Sequence, residues 1–126
     1  MNTSTSTPVF AKPMLPAVLK LTVTKEWFDL IKSGEKTEEY REFKKYWIDR
    51  LTEDKSYCQM GNSGYVINDK KYKYVEFKNG YSKNAPTIIT ECKGISVGKP
   101  TKQGSQLFKE DVFIISLGAV VWSNCG

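Results

Sequence analysis

The chain has 126 residues, a net charge of +5, a pI near 9.0 and no histidine. Such a length suits one compact domain with a real core. The missing imidazole excludes Cys-His and Ser-His nucleophile systems and the usual zinc sites, and no metal or other cofactor is expected.

No apolar run approaches the ~20 residues needed to span a membrane. The N-terminus lacks a basic region followed by an apolar core, so it does not read as a secretory signal. Cys58, Cys92 and Cys125 form no close pair. An odd, sparse set points to reduced thiols in a cytoplasm. The mild basic excess favours an anionic partner such as nucleic acid.

Residues 1–16 are Ser/Thr-rich and then carry Pro8, Pro13 and Pro16, which reads as a flexible tail ahead of a single domain over 17–126. Residues 17–23, with Val18, Leu21 and Val23 apolar, read as a first strand. Thr24 offers an N-cap, Trp27, Leu30 and Ile31 mark the core face of a helix, and Gly34 closes it. Residues 36–41 follow as a second strand. Phe43, Tyr46, Trp47 and Leu51 repeat at helical spacing.

Gly61-Asn62-Ser63-Gly64 signals the tip of a hairpin between residues 56–60 and 65–68. Residues 72–77 alternate as a strand, and Asn79-Gly80 favours a tight turn. Residues 87–92 form another strand, ended by Gly94 to Gly98. A polar excursion over 99–110 leads to a final strand over 112–121, broken at Gly118. The sum is an α+β fold: a small mixed β-barrel of five or six strands with two short helices placed early.

The densest chemistry lies in Gly34-Glu35-Lys36-Thr37-Glu38-Glu39-Tyr40-Arg41-Glu42. In an extended segment Thr37, Glu39 and Arg41 share one face. Arg41 suits a phosphate or a base edge through its planar fork of donors, or else a fixed ion pair with Glu39 or Glu91. Lys36 offers a charge for phosphate or a catalytic amine; the plainer alternative is an exposed lysine at a strand start. Glu39 suits a general base, an acceptor for a cytosine amino group, or the structural partner of Arg41.

Asn79, Gly80 and Tyr81 form a second patch. Backbone amides of such a turn suit an anion and Tyr81 suits stacking on a base, unless the tyrosine packs on the barrel. Lys70, Lys71, Lys73, Lys78 and Lys83 interleave with Tyr72, Tyr74, Phe77 and Tyr81. That pattern fits single-stranded nucleic acid and also any solvent-facing hairpin.

The stretches Leu21-Thr22-Val23, Trp27 through Arg41, Tyr46-Trp47, Val75 through Tyr81, Glu91 through Ile95 and Phe113 through Gly118 together resemble the ASCH domain family of the PUA-like superfamily, in its phage and mobile-element version. The resemblance implies a PUA-like β-barrel whose cleft, beside the first helix, binds RNA or a nucleotide-like ligand. On this basis Lys36, Thr37, Arg41, Lys78, Asn79, Gly80, Tyr81 and Lys83 are the expected ligand contacts.

One branch of the family resembles an amidohydrolase acting on N4-acetylcytidine, whose catalytic lysine falls at Lys36 here. Its threonine nucleophile lies three residues later, where this chain has Glu39, while Thr37 is nearer. Lys36 and Glu39 are thus the candidate catalytic pair of an amidohydrolase or ribonuclease. A mobile-element protein that binds a host protein is the remaining expectation.

Overall fold

The computed structural model describes residues 11–124. Of the expected tail, residues 1–10 lie outside the described residues, as does Cys125. Strand β1 (Val18–Val23) leads through Thr24 into helix α1 (Lys25–Ser33). Thr24 is the N-cap, but its side chain makes no capping bond; its carbonyl accepts from the Phe28 amide. Gly34 ends the helix in the left-handed region at φ 85°, as the sequence predicts.

Strand β2 (Glu38–Glu42) and helix α2 (Lys45–Leu51) follow. A two-residue hairpin, β3 (Cys58–Gln59) with β4 (Tyr65–Val66), carries the predicted Gly61–Gly64 tip. Then come β5 (Tyr74–Asn79), β6 (Thr87–Gly98) and β7 (Val112–Asn124).

Five strands make one mixed sheet in the order β1-β5-β6-β7-β2, with β1 parallel to β5 and the other pairs antiparallel. The sheet curls into a half-barrel, giving the small α+β barrel the patterning predicts. Inside lie Leu19, Leu21 and Val23 of β1, Val75 and Phe77 of β5, Ile88 and Ile95 of β6, and Phe113, Ile115 and Leu117 of β7. Phe28 and Ile31 carry the buried face of α1 into this core, so the helix stripe is shifted one position from Trp27.

Two sequence expectations change. Strand β6 runs unbroken from Thr87 to Gly98, its register shifting between Ile89 and Gly94. Strand β7 also runs through Gly118 without a break. That glycine is there for space: a Cβ would stand 2.8 Å from Oε1 and 2.9 Å from Cβ of Glu91. Glu91 lies across the strand instead, and its Oε1 accepts from the Ala119 amide at 3.1 Å.

The strands at the two ends of the sheet face one another with no backbone ladder between them. Two arginines occupy the seam. Arg50 Nη2 donates to the Lys20 carbonyl at 3.1 Å, and Arg41 Nη2 to the Thr22 carbonyl at 3.3 Å. Both guanidiniums lie 5.1 Å from the centre of the Trp47 ring. Covering an open edge in this way removes a template for unwanted strand pairing.

Ahead of β1, Lys12 ties the segment entering the domain to the sheet. Its ammonium lies 3.0 Å from the buried carboxylate of Glu76.

Candidate functional site

Helix α1 ends at Gly34, and the chain turns back so that the Lys36 amide donates to the Leu30 carbonyl at 2.9 Å. This drives the Lys36 side chain under the sheet edge, where it is 3% exposed. It is therefore not the exposed lysine that a strand start suggests. Its ammonium lies 3.1 Å from Glu39 Oε1, donates to the Glu38 carbonyl, and sits over the rings of Tyr40 at 5.1 Å and Trp27 at 5.6 Å.

Glu39 is buried too, and its other oxygen accepts from Arg41 Nη2 at 2.6 Å. Of the two partners weighed for Arg41, Glu39 is the one used. One carboxylate thus lies between two cations. A lone buried charge would be costly, and this arrangement compensates the carboxylate fully while leaving one positive charge over. The Nε of Arg41 is buried without a hydrogen-bond partner.

Above this cluster opens a cavity of about 370 Å³ lined by Thr22, Val23, Thr24, Trp27, Glu39, Tyr40, Arg41, Asn79, Gly80 and Tyr81. A smaller hollow of about 70 Å³ adjoins it, sharing Trp27, Glu39 and Tyr40 and adding Lys36, Gly104, Leu107 and Phe108. The ends of β1 and β5 and the middle of β2 thus bring Glu39, Arg41 and Asn79–Tyr81 to one cleft. Lys36 reaches only the small hollow. Thr37, Lys78 and Lys83 line neither.

The Asn79–Gly80 turn differs from the tight hairpin predicted. Gly80 has φ 94°, but the connection continues to Thr87. The Asn79 amide donates to the Pro86 carbonyl and the Gly80 amide to the Val23 carbonyl. These two amides are engaged and offer nothing to an anion. Tyr81, by contrast, stands 92% exposed at the cleft mouth, so it does not pack on the barrel.

Tyr40 forms the wall between the cleft and the loop over 99–111. Its hydroxyl donates to Glu38 Oε1 at 2.8 Å and accepts from the Lys102 amide at 3.0 Å. Burial, then the bond to Glu38, pushes its phenol above the usual tyrosine value of 10.0. Gly104, at φ 95°, lets the loop lie close on Tyr40 and Trp27. Lys102 Nζ also donates to Thr37 Oγ1 at 3.3 Å.

No family model, curated protein or solved structure matches this chain.

The predicted run of interleaved lysines separates in space. Lys71 and Lys73 line a different groove, together with Tyr72, Tyr74 and Lys93. The Tyr72 hydroxyl donates to the Arg50 carbonyl, which points it inward. Trp27 is the cleft residue that the sequence reading assigned to the core. Its signal was available: Phe28 and Ile31 suffice for the buried stripe and leave Trp27 at its flank. Among the described residues no group of acids and cysteines is placed to hold a metal ion, and no helix is long and apolar enough to cross a membrane.

Proposed function

We propose that the cleft binds a nucleotide or a single-stranded RNA, with an anionic or base-edge group on Arg41 and a ring on Tyr81. The observation that carries this reading is the Lys36–Glu39–Arg41 cluster. It leaves one net positive charge beneath a cavity whose mouth holds a free aromatic ring. About 370 Å³ lies at the lower end of the range for small-ligand sites.

In this reading Lys36 fixes Glu39, and Glu39 fixes Arg41. With both its hydrogen bonds on Nη2, Arg41 keeps Nη1 for the ligand. Thr22, Thr24 and the Asn79 carboxamide supply neutral donors and acceptors around the ring. The resemblance to the ASCH family points the same way.

The hydrolytic alternative has less behind it. The Lys36 ammonium is surrounded by the groups a cation wants, its side chain is 3% exposed, and it reaches only the small hollow of about 70 Å³.

The test is a fluorescence anisotropy titration of a short single-stranded RNA at low and moderate salt, with wild type and Arg41→Ala. Salt-sensitive binding that weakens in the variant is expected, since phosphate contacts release counterions. Binding indifferent to salt and to Arg41→Ala would sink the proposal.

A further inference from the structure

A second cavity, of about 620 Å³, opens below the cleft between the start of α2, the β3–β4 hairpin and the loop over 99–111. Phe43, Tyr57 and Tyr65 lie along it, with ring centroids 4.6 Å (Phe43 to Tyr65) and 4.9 Å (Phe43 to Tyr57) apart. Tyr57 is 49% exposed, so one face of this cluster is open. The groove is not isolated. It shares Leu107 and Phe108 with the small hollow over Lys36, which in turn shares Trp27, Glu39 and Tyr40 with the cleft.

A path therefore runs from Tyr81 past Trp27 and Tyr40, over Leu107 and Phe108, to Tyr57. Leu107 is 63% exposed on the ridge between the two ends, an apolar side chain left without cover. The loop that forms this ridge carries Lys102 and Lys109, and neither enters an ion pair among the described residues. The groove's other lysines are compensated, Lys44 by Glu42 at 3.0 Å and Lys45 by Asp49 at 2.8 Å. Glu110 and Asp111 also line the groove and repel phosphates from their wall.

We infer that the ligand is a single strand several nucleotides long, not a lone nucleotide. One base sits in the cleft, phosphates follow Lys102 and Lys109 across the ridge, and a later base stacks on Tyr57. Exposed ring faces and ammonium groups outside ion pairs along one track are what sequence-tolerant single-strand binding requires. The inference rests on the cleft being the primary site.

The experiment compares a four-nucleotide and a twelve-nucleotide RNA of mixed sequence against wild type, Arg41→Ala, Tyr57→Ala and Lys109→Glu. Arg41→Ala should weaken both lengths. Tyr57→Ala should weaken the longer RNA alone, by about fivefold or more, the low end for loss of one stacked base. Lys109→Glu should do the same and lower the salt slope for that RNA by about 0.7. Lys109 is exposed, so its reversal leaves the fold intact if Tyr57→Ala does not. A twelve-nucleotide affinity untouched by both groove variants overturns the inference and spares the cleft. Indifference of both RNAs to Arg41→Ala overturns the cleft reading, and this inference with it.

Discussion

Arg41 on β2 donates to the carbonyl of Thr22 on β1, and so joins two edge strands that share no backbone ladder. The same guanidinium holds Glu39 at 2.6 Å. The candidate site and the seam of the half-barrel are therefore one piece of structure, and changes there act on stability as well as on the cleft.

The three members of the cluster should differ in cost. Glu39→Gln leaves Lys36 and Arg41 facing one another without a counter-charge, and should cost about 3–5 kcal/mol. Arg41→Met leaves Glu39 still paired with Lys36, and should cost less, about 1.5–3 kcal/mol for hydrogen bonds to a charged group. Urea unfolding of both variants checks the order. Equal losses would show that the two cations are not shared through Glu39.

Tyr81→Ala separates binding from folding. The ring is almost wholly exposed, so stability should stay within about 0.5 kcal/mol of wild type. Affinity for single-stranded RNA should fall by about 1–3 kcal/mol, the worth of one stacked base. Thermal unfolding and anisotropy on the same samples decide it. Unchanged affinity would take Tyr81 out of the site.

Tyr40 gives an alkaline signature. Its folded-state pKa lies above its unfolded value, so the folded protein binds more protons near and above pH 10. Its contribution is complete below the unfolded value and is lost as pH rises through the folded one. Stability should thus decline in alkali, and Tyr40→Phe should flatten that decline. The variant should also be weaker at neutral pH by roughly 1 kcal/mol, through the lost bond to Glu38. Unfolding midpoints measured from neutral pH upward give both results, and an unchanged alkaline slope would contradict the assignment.

Gly118→Ala tests the close packing of Glu91 of β6 on β7. The added methyl would meet both Oε1 and Cβ of Glu91 inside ordinary contact distance. A loss of about 1–3 kcal/mol is expected, as for other overpacked sites. Glu91→Ala in the same chain removes the clash with Oε1 and keeps that with Cβ, so it should restore part of the loss. Denaturant melts of the two chains check it, and a Gly118→Ala protein as stable as wild type would refute the crowding.

Much of this was readable from the chain. Apolar patterning located β1 and β5, β-rich composition located the first half of β6, and Gly34 fixed the end of α1, because burial and positive φ restrict residue types locally. That Glu39 and Arg41 share a face followed from strand alternation, but the choice of Glu39 over Glu91 as the partner of Arg41 did not. Nor did the fate of Lys36, because its burial depends on a turn after α1 that no periodicity encodes. Gly118 misled in the same way: its neighbour Glu91 lies far off in sequence, so a packing requirement looked like a strand break. The engaged amides of Asn79 and Gly80 were hidden for a similar reason, since their acceptors are Pro86 and Val23. Tyr81 is exposed in the loop after β5, whereas Trp27 on α1 packs its flank against the core.

Trp47 lies beneath both Arg41 and Arg50, and Trp27 lines the cleft itself, while Trp122 sits on β7 away from it. Two of the three indoles are thus coupled to whatever occupies the cavity. A ring laid against Trp27 quenches it, and a ligand that draws Arg41 aside changes the charge above Trp47. The unlabelled protein carries its own optical gauge of occupancy, with Trp122 as the internal reference.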